Sequence, residues 1–146
     1  MKAQESIILH AAPEKVWPYL FEPEKVLQWS STYQKYEFVG EQRSGVGMRV
    51  YIEEKAGGPL MKYTFETTEW EENRKLSMRM ISGTGVKAYQ QTLLLEKVDE
   101  GCRFTFSEEV VLTMGLLGKI IGAIGEGMSR AAMRKVLLKL KSLVEA

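Results

Sequence analysis

The chain has 146 residues, 45% of them hydrophobic and 27% charged, which is enough to bury one ordinary core, so we expect a single domain over residues 1–146. The formal net charge of +1 argues against a nucleic-acid-binding protein, because such domains are usually strongly basic. The single cysteine, Cys102, excludes an internal disulfide and a cysteine-based zinc cluster.

Neither export nor membrane insertion is indicated by the hydropathy pattern. Residues 1–6 contain a lysine, but no apolar run of signal-peptide length follows them. No stretch reaches roughly 18 unbroken apolar residues, the length needed to span a bilayer. We therefore expect a cytoplasmic protein.

One strand and two short helices are predicted at the start of the chain. Residues 5–10 have the composition of a first strand. Pro13 begins the first helix, because a proline at the first helical position lacks only a donor that would have no partner anyway. Pro23 ends that helix and begins a second one, which carries Trp29 near its end.

Six further strands follow, each recognised by a two-residue alternation of apolar side chains between turn signals. In chain order they are expected at residues 33–40, 48–55, 63 to the turn at 71–74, 75–81, 86–98 and 102–112. The last two are joined by Asp99-Glu100-Gly101, which is typical of a hairpin turn.

A long helix is predicted from Gly115 to Ala146. Its apolar face follows three- and four-residue steps: Leu117, Ile121, Ile124, Met128, Ala132, Val136, Leu140 and Leu143. Its polar face is marked by Glu126, Arg130, Arg134, Lys141 and Glu145. A helix of roughly 30 residues is about 45 Å long, so the strands must form a sheet large enough to wrap around it.

Four short motifs carry a resemblance to a known family. They are Ala-Pro-Glu-Lys-Val-Trp at 12–17, Pro-Glu-Lys-Val-Leu-Gln-Trp at 23–29, Gly-Val-Gly at 45–47 and Gly-Leu-Leu-Gly at 115–118. With these motifs in this order of elements, the whole chain resembles the polyketide cyclase/dehydrase-like proteins of the START-like, helix-grip (SRPBCC) superfamily.

The resemblance implies an α+β, helix-grip fold. A seven-stranded antiparallel sheet would wrap around the long C-terminal helix, with two short helices after strand 1 closing one end. It also implies a mostly apolar pocket between sheet and helix, which different members use for lipids, hormones or polyketides. A fold shared by so many functions does not assign one of them to this chain.

A polar group on the pocket wall is predicted from the last hairpin. If Leu95 faces Phe104, alternation also pairs Leu93 with Phe106, Gln91 with Glu108 and Tyr89 with Val110. Glu108 would then lie on an apolar wall, where desolvation raises the pKa of a carboxylate. The alternative is that Glu108 turns to solvent or pairs with a basic residue.

The first functional hypothesis is a carrier or sensor of a small hydrophobic molecule, without metal or cofactor. The predicted lining is Trp29, Val50, Phe65, Met78, Tyr89, Gln91, Leu93, Phe106, Glu108, Ile121, Ile124 and Met128. His10, the only histidine, has no partners at catalytic or metal-binding spacing and is expected to be exposed or at the rim.

Two alternatives stay open. The first is a metal-free cyclase or dehydratase in which Glu108 or Tyr89 transfers a proton. The second is a module that docks transiently on a membrane or a protein through the last helix, because the chain from residue 115 onward carries six basic and two acidic residues. We expect a monomer or a homodimer, with no nucleic-acid partner.

Overall fold

The computed structural model describes residues 2–113 and 126–146, the side chains of 126–129 excepted. The strands are β1 (Lys2–Leu9), β2 (Tyr33–Val39), β3 (Arg49–Glu54), β4 (Met61–Glu71), β5 (Lys75–Gly83), β6 (Val86–Val98) and β7 (Gly101–Leu112). The helices are α1 (Pro13–Val16), a 3-10 helix (Trp17–Leu20), α2 (Pro23–Trp29) and α3 (Glu126–Val144). The predicted order of elements is confirmed.

The strands form one seven-stranded antiparallel sheet in the order β1-β7-β6-β5-β4-β3-β2. The strands from β2 to β7 meander through neighbouring positions, while β1 pairs with β7 at the opposite edge from β2. The short helices therefore connect the two edges of the sheet, and α3 packs on β1 and α2. This is the helix-grip arrangement that the resemblance implies.

The register predicted for the β6–β7 hairpin is confirmed. Leu93 pairs with Phe106 and Gln91 with Glu108, as alternation from the turn requires. Gly101, the first residue of β7 after the turn, has φ +144°, and a Cβ there would lie 2.3 Å from the carbonyl oxygen of Leu9. Glycine is therefore required where the end of β1 approaches the hairpin.

The buried face of α3 is centred one residue away from the predicted one. Its buried side chains are Met133, Leu137, Leu140 and Val144. Of the residues predicted to face the core, only Leu140 is buried, while Val136 and Leu143 are half-buried and Ala132 is exposed. The prediction was wrong here because the spacing of apolar residues shows that the segment is helical but does not show which side of the helix is buried. That side is determined by contacts with β1 and α2. Leu117, Ile121, Ile124 and Met128 lie outside the described part.

The C-terminal end of α3 is tied to the end of β1 by polar contacts. Lys141 Nζ donates a hydrogen bond to the carbonyl oxygen of Ile8 at 2.9 Å. The backbone N–H of His10 donates to Glu145 Oε2 at 2.8 Å. These contacts hold the helix across the sheet edge at which the chain enters α1.

Aromatic residues fill the end of the sheet that the short helices cover. Trp17 packs edge-on against Trp70, with ring centroids 5.1 Å apart. Trp29 meets Phe104 and Phe106 edge-on at 6.0 and 6.3 Å. The indole Nε1 of Trp29 donates to a backbone oxygen of the 3-10 helix, so burial leaves this donor satisfied. Both tryptophans are thus core residues.

Candidate functional site

The inner face of the sheet is built from residues that alternate along each strand and align across the ladders. Tyr36, Ile52 and Tyr63 form one row across β2, β3 and β4, because each is the direct partner of the next. Val50 and Phe65 form the neighbouring row. All five are buried, so this side of the sheet faces the protein interior.

The structure places nine of the predicted lining residues. Eight of them are buried hydrophobic or amide side chains: Trp29, Val50, Phe65, Met78, Tyr89, Gln91, Leu93 and Phe106. The ninth, Glu108, is half-buried. Ile121, Ile124 and Met128 lie outside the side chains that the structure describes, so the predictions that depend on them stay predictions.

Glu108 lies in a hydrogen-bond network on β6 and β7. The hydroxyl of Tyr89 donates to Glu108 Oε2 in a short contact. Gln91 Nε2 lies 3.0 Å from the Tyr33 hydroxyl, 3.2 Å from the Tyr89 hydroxyl and 3.4 Å from Glu108 Oε2. Gln91 therefore links the β2 edge of the interior to Glu108, more than half the sheet away.

Burial shifts Glu108 toward its neutral form relative to an exposed carboxyl. Desolvation by burial raises the pKa of this carboxyl, and the hydrogen bonds from Tyr89 and Gln91 offset part of that rise. No basic side chain forms an ion pair with it within residues 2–113 and 130–146. The alternative that Glu108 pairs with a basic residue finds no support in that part of the chain.

A second inward carboxylate, Glu54, was missed by the sequence analysis. It ends β3 opposite Tyr33, and its Oε2 accepts a hydrogen bond from the Thr32 hydroxyl at 2.9 Å. Burial, with a further contribution from the charge of Glu108, raises the pKa of Glu54 to about 7. The signal was present in the alternation, because Val50, Ile52 and Glu54 share one face of β3.

Tyrosine side chains surround the two carboxylates. The rings of Tyr63 and Tyr89 meet edge-on at 5.2 Å, and Tyr33 stacks on Tyr36 at 6.3 Å. Desolvation raises the pKa of each of these four phenols above its ordinary value. They are therefore neutral at physiological pH and can donate or accept hydrogen bonds.

One tyrosine hydroxyl in this group is left without a partner. Tyr36 is only 4% exposed, and its Oη has no hydrogen bond within the described part of the chain. Buried hydroxyls are normally paired, so this hydroxyl is available to hydrogen-bond with a further group. The inward group formed by Glu54, Glu108, Gln91 and the four tyrosines is called the carboxylate–tyrosine cluster below.

The cluster can bind polar groups or transfer protons, but its ligand set does not match a metal site. Its members include two carboxylates, and among the residues described no group of three or more His, Cys, Asp or Glu side chains could hold a metal ion. Two carboxyls in an apolar setting, one with its pKa near 7, are suited to exchanging protons or to binding a donor.

The remaining candidates have ordinary structural roles. His10 is exposed, as predicted. Cys102 is buried, and desolvation raises the pKa of its thiol, which disfavours the nucleophilic thiolate.

A groove of about 330 Å³ runs beside β1, where Arg130 and Glu108 are among the lining residues. Within the described segments, no helix is both long and apolar enough to cross a bilayer.

Comparison with protein families gives one match that spans nearly the whole chain. The sequence model of the family described as "Polyketide cyclase / dehydrase and lipid transport" matches residues 1–145. No curated protein matches the sequence significantly.

Solved structures from several sources share the fold. A START superfamily protein from Mycobacterium smegmatis superposes with a TM-score of 0.79 at 10% identity, over 99% of this chain and 97% of that one. The protein TTHA0849 from Thermus thermophilus superposes at 0.78 with 19% identity, over 99% and 97%. A point mutant of Thalictrum norcoclaurine synthase, in complex with a transition-state analogue, superposes at 0.65 with 19% identity, over 99% and 93%. At these identities the likeness establishes the fold alone.

Proposed function

Because the chain belongs to the polyketide cyclase/dehydrase and lipid transport family, we propose that it binds a small, largely apolar molecule between the sheet and the C-terminal helix, as a carrier or a sensor. The family includes proteins described as cyclases, dehydrases and lipid transporters. All three kinds of protein act on or carry small hydrophobic molecules. The inner face of the sheet would provide the binding wall.

The observation that carries this proposal is a polar cluster set into an otherwise apolar wall. Ligand sites typically combine hydrophobic and aromatic lining with a few convergent polar groups that fix orientation. Here Val50, Phe65, Met78 and Leu93 supply apolar surface, and Gln91 with its partners supplies the polar group. A structural core would gain stability from apolar residues at these positions, since each buried polar group must be paired.

The energetic scale is adequate for binding. Burying about 300 Å² of apolar ligand surface at about 25 cal/mol per Å² contributes roughly 7 kcal/mol before the entropy cost of association. The polar cluster would then select among ligands of similar size, because a ligand that leaves its groups unpaired loses affinity.

Binding is tested by native mass spectrometry of freshly purified protein, followed by a thermal-shift screen of fatty acids, sterols, flavonoids and polyketides. We expect at least one class to raise the melting temperature. Gln91→Leu should weaken that effect, while Gln90→Leu, one residue along β6 on the outer face, should not. A wild-type protein that carries no molecule and responds to no class would refute the proposal.

A second candidate, a cyclase or dehydratase, is favoured by the pair of carboxyls. Ring closure by carbon–carbon bond formation needs a base that takes a proton from carbon and an acid that protonates the oxygen. Glu54, with a pKa of about 7, can serve as one of these groups at neutral pH, and the Tyr89–Glu108 pair is the candidate for the other. A synthase is among the structures that share this fold.

The two functions are separated by conservative variants. In an enzyme, Glu54→Gln and Glu108→Gln should abolish turnover of a bound polyketide while its affinity is retained, and Glu109→Gln on the outer face should change neither. In a carrier, no turnover is seen in the wild type, and the two inner variants alter affinity alone.

A further inference from the structure

The carboxylate–tyrosine cluster has an imbalance of charge. Glu54 and Glu108 come from β3 and β7 and interact electrostatically across the interior, and each also acts on Tyr33, Tyr63 and Tyr89. All the ionisable members of the cluster are therefore acids. No lysine, arginine or histidine forms an ion pair with either carboxylate in the described part of the chain.

The cluster also has acceptor positions that are not used. Both carboxylates receive their side-chain hydrogen bonds on Oε2, and no described residue donates one to Oε1 of either. The Tyr36 hydroxyl, stacked beside Tyr33, lacks a partner as well. These sites point to a ligand group that donates several hydrogen bonds.

The aromatic rings favour the same kind of ligand group. Tyr63, Phe65 and Tyr89 form a set of edge-on contacts between 5.0 and 5.7 Å, and ring faces attract cations. A metal ion fits less well, because hard cations require six or more oxygen ligands and the surrounding wall is apolar. An organic ammonium group combines a positive charge, up to three donors and an apolar body.

We propose that the ligand of this interior is an apolar molecule bearing a protonated amine, and that its ammonium group binds between Glu54 and Glu108 with the tyrosine rings around it. This proposal rests on the proposed binding function and narrows it to one ligand class. The ammonium supplies a positive charge beside the two carboxylates, and the apolar body packs against the wall formed by residues such as Val50 and Phe65.

Proton balance gives the proposal a distinctive signature. At pH 6 Glu54 is mostly protonated, so placing an ammonium beside its carboxylate releases a proton from it to solvent; at pH 8 Glu54 is already mostly ionised and little proton is released. The groups that face Glu54 are Tyr33 from β2, Tyr63 from β4, Tyr89 from β6 and Glu108 from β7. Arg130 of α3 and Glu108 both line the groove beside β1, and no ion pair joins them.

The test uses matched ligands with straight-chain, aryl and cage-like bodies. Decylamine is compared with 1-decanol, 3-phenylpropylamine with 3-phenylpropanol, and adamantylamine with adamantanol, by isothermal titration calorimetry at pH 8. We expect at least one amine to bind about tenfold or more tightly than its alcohol. Its affinity should fall about tenfold between pH 8 and pH 6, with proton release at pH 6, while that of the alcohol stays constant.

Variants separate a specific site from general attraction. Glu54→Gln and Glu108→Gln should each reduce amine affinity about tenfold and reduce alcohol affinity by a clearly smaller factor, because only the amine loses an opposite charge. Glu53→Gln and Glu109→Gln, the neighbours on the other face of each strand, should leave both unchanged. Native mass spectrometry of each variant reports whether it remains folded and compact.

The outcomes distinguish this proposal from the one on which it rests. Equal binding of amines and alcohols, or tighter binding of decanoate than of decylamine, overturns the amine proposal and leaves the binding function standing. Failure of every probe, together with no molecule retained by the purified protein and no hit in the thermal-shift screen, overturns both.

Discussion

Replacing Glu54 by glutamine should remove a pH-dependent loss of stability that the wild-type protein shows on the alkaline side. The carboxyl is desolvated in the folded protein, so folding favours its protonated form. Glutamine has nearly the same shape and no charge, and its amide oxygen can still accept the hydrogen bond from Thr32.

The magnitude follows from the difference in proton affinity between the two states. The pKa rises from 4.5 to about 7 on folding, and at about 1.36 kcal/mol per unit this corresponds to roughly 3 kcal/mol as an upper bound. Glu54 is half-buried, and its remaining solvent contact reduces the expected value to about 2 kcal/mol.

The sign is fixed by which state binds more protons. Between pH 4.5 and about 7 the folded state holds a proton on Glu54 that the unfolded state has lost. The stabilising contribution is therefore fully present below pH 4.5 and disappears as the pH rises through about 7. Glu108, whose pKa is also raised, adds a slope of the same sign.

The assay is urea unfolding at pH 5, 6, 7 and 8. The free energy of unfolding of the wild type should decrease by about 2 kcal/mol or more over this range, and Glu54→Gln should remove about 2 kcal/mol of that decrease. Glu100→Gln, in the exposed β6–β7 turn, should keep the wild-type slope. A Glu54→Gln protein with an unchanged slope would show that this carboxylate is solvated and would undermine the electrostatic reasoning for the cluster.

Three further predictions concern the framework, each measured by denaturant unfolding at pH 6. Leu137→Ala should lower the free energy of unfolding by about 2–5 kcal/mol because the side chain is buried, whereas Leu138→Ala, 60% exposed, should change it by less than about 0.5 kcal/mol. Equal losses for the two variants would contradict the assignment of the Leu137 face of α3 to the core. Gly101→Ala should cost more than about 1 kcal/mol because its Cβ meets the Leu9 carbonyl and its φ is positive; a neutral result would contradict that close approach. Trp29→Phe should cost about 1–3 kcal/mol through lost volume and a lost indole hydrogen bond, and full retention of stability would argue against its role as a core anchor.

Local patterns were sufficient to predict the order of elements and much of the pairing. Pro13 and Pro23 mark helix starts in the correct places because the constraint on φ acts within one residue. The register of β6 and β7 was predictable because the tight turn just before Gly101 leaves a single alignment in which Gln91 meets Glu108.

The sequence predicts less well which side of α3 is buried. The apolar stripe on α3 is wider than the surface that its neighbours cover. Two choices of buried face that differ by one residue therefore fit the sequence almost equally well. The structure buries Met133, Leu137 and Val144 because β1 and α2 approach from that direction. Such an approach depends on contacts between elements far apart in the chain.

The sequence by itself determined that Glu108, Gln91 and Tyr89 share a face, because neighbouring strands of one hairpin carry that information. Only the tertiary structure placed Glu54 and Tyr33 against them, since three strands separate β3 from β7 and four separate β2 from β7, and they meet across the curved interior. Alternation states which side of a strand a residue occupies, and sheet curvature decides which distant residues on that side come together.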